Sequence, residues 1–307
     1  MAKVDYKALK AGGFMRQVQK DCFSMRIRSV GGQIGAEQLK KVYEIAREYG
    51  QGYIHLTSRQ GIEIPFIKLE EVESVKGELA KAGLEPGACG PRVRTVTACQ
   101  GSAICPSGLI DASSLAKELD SRYFAKELPH KFKLAVTGCR NNCLKAEEND
   151  LGIKGGIQPV WNKSKCSFCG LCEAVCPVKA IQVEKGDNGP NADRDLILDQ
   201  EKCLYCGKCV KSCPVSAWQG TTGFKVYFGG TFGNQIAVGK QVLPMIFSKE
   251  KLFRIVDATL AFFAKYAKHG ERFRVTIERV GWELLRTWLE QELQETEEEQ
   301  EIELAEA

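Results

Sequence analysis

From Met25 to Val30 apolar and charged positions alternate, the period-two pattern of a half-buried strand. Between Ala36 and Tyr49 the period changes. Leu39, Val42 and Ala46 fall three and four apart and Gly50 follows, which predicts a helix that ends there. "YIHLTS" (53–58) and "GIEIPFI" (61–67) read as two further strands, and Leu69 to Ala82 as a second helix. Strand, helix, strand, strand, helix predicts a small α+β lobe over residues 1–85. Much later, "FKVYFGG" runs into the glycine-rich "GGTFGNQIAVG", and two helices are expected, Lys249–Lys268 and Arg272–Leu293. The most apolar run, near "ATLAFFAKYA", is far shorter than the roughly 20 residues that span a bilayer. With no charged-then-apolar leader, no membrane insertion and a cytoplasmic location are expected.

At 307 residues and 44% hydrophobic, the chain has material for two or three compact units. The formal net charge of +4 hides an asymmetry. From Glu290 onward there are nine acidic residues and no basic ones, leaving 43 Lys+Arg against 30 Asp+Glu, or +13, for residues 1–289. The acidic tail, 295–307, reads as a solvated helix end. The basic body calls for anionic cofactors or substrates; its cations lie beside cysteines and glycines and not in one Lys/Arg run with aromatics, so nucleic acid is not expected.

Fourteen cysteines in a chain of this kind point to metal and not to disulfides. "CSFCGLCEAVCP" supplies Cys166, Cys169, Cys172 and Cys176, and "CLYCGKCVKSCP" supplies Cys203, Cys206, Cys209 and Cys213, each run followed by proline. This is the C-x2-C-x2-C-x3-C-P pattern of bacterial ferredoxins, in which the fourth cysteine ligates the other run's cluster. Cys213 is therefore assigned to the [4Fe-4S] cluster of Cys166, Cys169 and Cys172, and Cys176 to that of Cys203, Cys206 and Cys209. Structural zinc is the competing assignment, but three thiols two apart with a distal fourth suit a cubane better than a tetrahedral ion. A second set, Cys99 and Cys105 in "CQGSAIC" with Cys139 and Cys143 in "CRNNC", supplies four thiolates from two loops, enough for a third cluster. Cys22 and Cys89 remain, as buried apolar thiols.

That second set, with "TSRQG" upstream, "PRVRTVTAC" leading into its first pair and "KFKLAVTGC" into its second, resembles the sirohaem sulfite and nitrite reductases from about Met25 to "FGGTFGNQIAVG". The resemblance implies sirohaem ligated axially by Cys143, the last cysteine of C-x3-C, which also holds the third cluster. It implies Asn141 against the macrocycle, Arg26, Arg28 and Arg92 toward its carboxylates, and Arg59, Arg94, Lys131 and Lys133 as the substrate-binding quartet. A buried site for a polycarboxylate and a small dianion needs permanent positive charge with fixed donors. Lys131 and Lys133 lie two apart, so on a strand they share a face. Gly229, Gly230 and Gly233 lack the strand-to-helix context of a dinucleotide fingerprint and are expected to form a tight turn near the macrocycle.

The fold expected is therefore α+β: a ferredoxin-like lobe (1–85), a sirohaem/[4Fe-4S] reductase core (86–157 and 219–294), and an inserted two-cluster ferredoxin segment (158–218). The chain holds one copy of the lobe-plus-core repeat where assimilatory relatives hold two, so it resembles the single-repeat dissimilatory and anaerobic type, like the catalytic subunit of anaerobic sulfite reductase. The implied reaction is six-electron reduction of sulfite to sulfide, with electrons from an external donor entering through the ferredoxin clusters. Nitrite reduction to ammonia and a sirohaem-free relay protein are the alternatives. A homodimer is expected, a second chain completing the pocket.

Overall fold

The computed structural model describes residues 4–184 and 194–306, with side chains through 294. Helix α1 (Tyr6–Ala11) and strand β1 (Phe14–Arg16) precede the predicted lobe, which comprises β2 (Cys22–Ile27), α2 (Ala36–Tyr49), β3 (His55–Leu56), β4 (Ile62–Lys68) and α3 (Val72–Lys81). The sheet order is β1-β2-β4-β3, antiparallel throughout. Counting from β2, the order first-third-second is that of a ferredoxin-like unit. Its fourth strand is reduced to the bridge of Ile27 with Pro86, and β1 takes the rest of that edge. Val42, Ile45 and Ala46 of α2 and Val72, Val75 and Leu79 of α3 are buried against Phe23, Met25, Ile62 and Ile64 of the sheet.

Helix α2 matches its predicted span, whereas the strand ends move. The first predicted strand starts at Cys22 and stops at Ile27, because Val30–Gly32 turns as a 3-10 segment with Gly31 at φ 59°. "YIHLTS" yields only two strand residues, since the chain reverses at Thr57, whose amide and hydroxyl both bond Gly61, at 2.8 and 2.9 Å.

The second unit is built on β5 (Thr97–Ala98), α4 (Ala112–Tyr123), β6 (Leu134–Thr137) and β7 (Leu151–Trp161). The chain continues through α5 (Leu171–Val175), β8 (Ile181–Val183), β9 (Leu196–Leu198) and α6 (Lys208–Ser212). It returns along β10 (Trp218–Phe228) to α7 (Lys249–Tyr266), α8 (Phe273–Val280) and α9 (Trp282–Glu306). The sheet order is β10-β7-β6-β5, with β5, β6 and β7 parallel and β10 antiparallel to β7. Period-two alternation divides the strands: Leu134, Val136, Leu151, Ile153, Val226 and Phe228 join the largest core with residues of α4 and α7–α9, while Lys133, Ala135, Thr137, Lys154 and Lys225 point the other way. Phe132, Phe263 and Phe273 fill that core with ring centroids 5.2–5.7 Å apart.

The helix expected over Arg272–Leu293 is two helices, because Gly281 adopts φ 106°, a conformation that a helix interior does not allow. The acidic tail continues α9 to Glu306 as backbone; its side chains lie outside the described residues. The β7–β10 ribbon ends at the pair Trp161↔Trp218, and the intervening segment hangs from it with its own small core of Cys172, Ile181, Leu196, Cys209 and Trp218. The expected segment start at residue 158 falls inside β7. Among the described residues no helix is long and apolar enough to cross a membrane.

Candidate active site

The C-x5-C and C-x3-C loops leave the carboxyl ends of neighbouring parallel strands. Thr97 and Ala98 pair with Ala135 and Val136, so the loops opened by Cys99 and Cys139 start side by side. The Gly138 amide donates to Cys99 Sγ at 3.0 Å. A Cβ on Gly138 would stand 2.9 Å from Gly101 Cα, and one on Gly101, at φ +67°, would stand 2.3 Å from the Ala112 nitrogen. Only glycines let the loops touch. Cys139 is buried, Cys99 and Cys105 are half-buried, and Cys143 is exposed.

The C-x3-C turn is pinned by Asn142, at φ 53°, whose Oδ1 accepts from the Ala146 amide at 2.8 Å and whose Nδ2 donates to Glu147 at 3.2 Å. Asn141, expected to face a macrocycle, is exposed. Thr137 Oγ1 and Arg140 Nη1, which flank Cys139 in sequence, are buried with no hydrogen-bond partner. Orphaned polar atoms of this kind on either side of Cys139 in the chain fit a site that a polar group completes.

Arg26, Arg59, Arg94, Lys131 and Lys133 line a cleft. It shares Ser58, Arg59 and Lys133 with a hollow of about 1020 Å³ that reaches Leu144 and Lys145, next to Cys143. Phe132 is buried in the main core, which turns Lys131 and Lys133 on either side of it toward the cleft. Arg59 donates to Asn149 Oδ1 at 2.7 Å and to the Thr95 carbonyl at 3.1 Å.

Charge in this cleft is unbalanced. Burial pushes Arg59 down to about 10, with Asp150 opposing and Arg94, Arg26 and Arg272 adding to the fall. Lys133 is pushed down to about 8, by burial first and then by Arg59 and Arg272, again against Asp150. Arg94 and Lys131 are also lowered, chiefly by burial. Asp150 is completely buried; it accepts from the Lys133 amide at 2.9 Å and from Arg272 at 2.9 and 3.1 Å. Of the other carboxylates, Glu63 is occupied by Arg26 at 2.7 and 2.5 Å, and Glu148 in the adjoining hollow lies 3.8 Å from Lys145. Five cations face this space, an excess of positive charge that suits an anion.

Two sequence candidates sit elsewhere. Arg28 pairs with Asp120 at 2.8 and 2.7 Å and with Glu85, and its guanidinium lies 3.9 Å from the Phe124 ring centroid. Arg92 pairs with Glu127 at 2.8 Å in a separate hollow with Lys7 and Lys10. Cys89 is buried, yet beside charge: Arg26 Nη1 lies 3.5 Å from its sulfur. Asn149, Asp150 and Arg272 were not anticipated. The pair Asn149-Asp150 at the mouth of an apolar strand is a local signal; Arg272 arrives 122 residues later and carries none.

Against known proteins, residues 89–297 match the family described as nitrite and sulphite reductase 4Fe-4S domain, and residues 15–82 match the nitrite/sulfite reductase ferredoxin-like half domain. The chain belongs to the nitrite and sulphite reductase family. It is 36% identical over 274 residues to the coenzyme F420-dependent sulfite reductase of Methanocaldococcus jannaschii, covering 88% of this chain but 42% of that one. It is 32% identical to an uncharacterized protein of the same organism, covering 91% and 94%. To one subunit of the anaerobic sulfite reductase of Salmonella typhimurium it is 31% identical, over half of each chain. In fold it is similar to dissimilatory sulfite reductase I, at TM-score 0.69 and 18% identity over 87% of this chain and 69% of that one.

In this member of the nitrite and sulphite reductase family the eight cysteines of the two C-x2-C-x2-C-x3-C runs line two cavities, and each cavity draws on both runs. One is lined by Cys166, Cys169, Cys172 and Cys213; the other by Cys203, Cys206, Cys209 and Cys176. The runs repeat each other's backbone. Phe168 and Tyr205, Gly170 and Gly207, and Lys179 and Ser216 all take positive φ. The amides of Phe168 and Tyr205 donate to Cys166 and Cys203 at 3.4 Å, and those of Ala180 and Ala217 to Cys176 and Cys213 at 3.2 Å. Trp218 Nε1, lining the first cavity's wall, is buried without a partner. Among the described residues no three His, Cys, Asp or Glu side chains converge tightly enough for a single ion; thiolates around a cubane are spread more widely than that.

Proposed function

We propose that this chain reduces sulfite to sulfide at a sirohaem coupled to a [4Fe-4S] cluster. The observation that supports this most is the cation-lined cleft, with the buried Asp150 set against its cations, adjoining a hollow that reaches Leu144 and Lys145 next to Cys143. Cys99, Cys105, Cys139 and Cys143 would hold the cluster, with Cys143 shared with the macrocycle iron; the orphaned Thr137 and Arg140 atoms and the adjoining hollow fit such a group. When bound, this pair of groups supplies electrons one at a time to a sulfur that accepts six.

The chain's own residues do the rest. Arg59, Arg94, Lys131 and Lys133 bind the oxygens of sulfite, and Asn149 and the Thr95 carbonyl fix Arg59 so that its charge is held in place. Balanced to hydrosulfide, the reaction takes up six electrons and seven protons and releases three waters. Lys133, with its acid strength raised by burial among cations, is suited to give a proton to a departing oxygen and recover it near neutral pH. Preorganised cations in a site poor in water stabilise the charge that builds as each S–O bond breaks.

The two mixed cysteine cavities are assigned to two further [4Fe-4S] clusters, making residues 158–218 an inserted ferredoxin segment between the core pieces 86–157 and 219–294, after the 1–85 lobe. Their chemistry is one-electron carriage from an external donor protein. The chain spans 42% of the length of the F420-dependent enzyme; an external donor protein and a homodimer in the cytoplasm are part of the proposal. The test is a visible spectrum of protein purified without oxygen, followed by turnover with sulfite and with nitrite. Absence of sirohaem bands in cluster-replete protein would leave an electron relay, and faster nitrite turnover would make this a nitrite reductase.

A further inference from the structure

Lys154 on β7 and Lys225 on β10 are directly opposite each other in the ribbon register. Lys154 is 7% exposed. Like charges facing across a strand pair destabilise it, and burial raises that cost. Glu147 meets Lys154 at 2.6 Å, but no carboxylate lies within ion-pair distance of Lys225 among the described residues. Two ammonium groups thus share one carboxylate. Lys225 is lowered by burial and then by Lys154, with Glu147 and Cys203 opposing.

The surroundings show what balances the excess. Lys225 Nζ lies 5.1 Å from the ring of Tyr205, which sits between Cys203 and Cys206 and whose carbonyl accepts from the Ile157 amide of β7 at 2.9 Å. On the other side Glu147 also accepts from Asn142, the neighbour of Cys143, at 3.2 Å. Tyr227 lies beneath both ammonium groups, 5.3 Å from Lys154 and 5.9 Å from Lys225. The lysine pair therefore stands between Tyr205, at one ferredoxin-type cavity, and the Glu147–Asn142 contact beside the C-x3-C turn.

We propose that Lys154 and Lys225 are positioning residues, a cationic bridge that stabilises the negative charge gained when the clusters flanking them are reduced. This rests on the cluster assignments above. Each one-electron reduction by an external donor adds one negative charge to a thiolate-held cluster and transfers no atom, and net charge nearby is among the determinants of such a cluster's potential.

The test is an EPR-monitored titration with dithionite of the full chain purified without oxygen. Lys225→Met leaves the Lys154–Glu147 pair intact, so the ribbon is retained. Its cluster signals are expected to shift to more negative potentials with iron and sulfide content unchanged, while Lys225→Arg titrates like wild type. Should Lys225→Met lose iron, Lys225→Gln, which keeps a polar end, is judged by the same shift. Iron-replete variants whose potentials match wild type overturn the bridge alone; wild-type protein without iron and acid-labile sulfide overturns the cluster assignments beneath it.

Discussion

Asp150→Asn exchanges one oxygen of a completely buried carboxylate for an amide and removes the counter-charge that Arg59, Arg272, Lys131 and Lys133 share. The Lys133 amide keeps an acceptor, but Arg272 trades two carboxylate contacts, 2.9 and 3.1 Å, for one neutral oxygen. A charge-assisted hydrogen bond contributes about 1.5–3 kcal/mol, and stripping one partner from a buried pair costs about 3–5 kcal/mol. The Arg272 side chain is 22% exposed, so water relieves part of its isolation and about 3 kcal/mol is expected. Urea unfolding at constant slope reads the change, and Asp150→Asn/Arg272→Met, which removes both charges, is expected to recover most of it. A single variant within about 1 kcal/mol of wild type, or a double variant as unstable as the singles summed, would refute this account of the pair.

Lys131→Met or Lys133→Met keeps the apolar stem but removes a charged donor worth about 2–4 kcal/mol in the transition state; sulfide release per sirohaem should fall roughly thirty-fold to several hundred-fold at unchanged sirohaem content. Because the folded-state value of Lys133 is about 8 against an ordinary 10.5, its charge is present below that value and lost as pH rises through it. Turnover is expected to fall above about pH 8, while fold stability rises slightly between about 8 and 10.5, since the unfolded chain binds the extra proton there; turnover and urea midpoint measured on the same samples separate the two signs. If twelve cysteines ligate at four per cubane, about twelve cluster irons and one macrocycle iron per chain are expected, and a count near eight would remove one cluster. Cys206→Ser should impair electron entry from outside while the sirohaem band persists; loss of that band would contradict the division into relay and catalytic parts.

The candidate chemistry of this chain was largely legible in its sequence because cysteine spacing is written locally. The C-x2-C-x2-C-x3-C-P spacing assigned Cys176 and Cys213 to the opposite runs, and the cavity linings group them that way. The period-3.6 pattern located α2 to the residue, and Lys131 and Lys133, two apart in the segment that leads into β6, both line the cleft. Arg26, Arg28 and Arg92 looked equivalent as charges, yet only Arg26 lines the cleft, since Asp120, Glu85 and Glu127 claim the other two through contacts 35 to 92 residues apart. Asp150 and Arg272, and the opposed Lys154 and Lys225, meet only because a sheet register and a returning helix bring distant segments together. Ligand identity follows from side-chain type and short spacing, which the chain carries itself; charge balance depends on burial and on long-range partners, and those exist only once the sheet has formed.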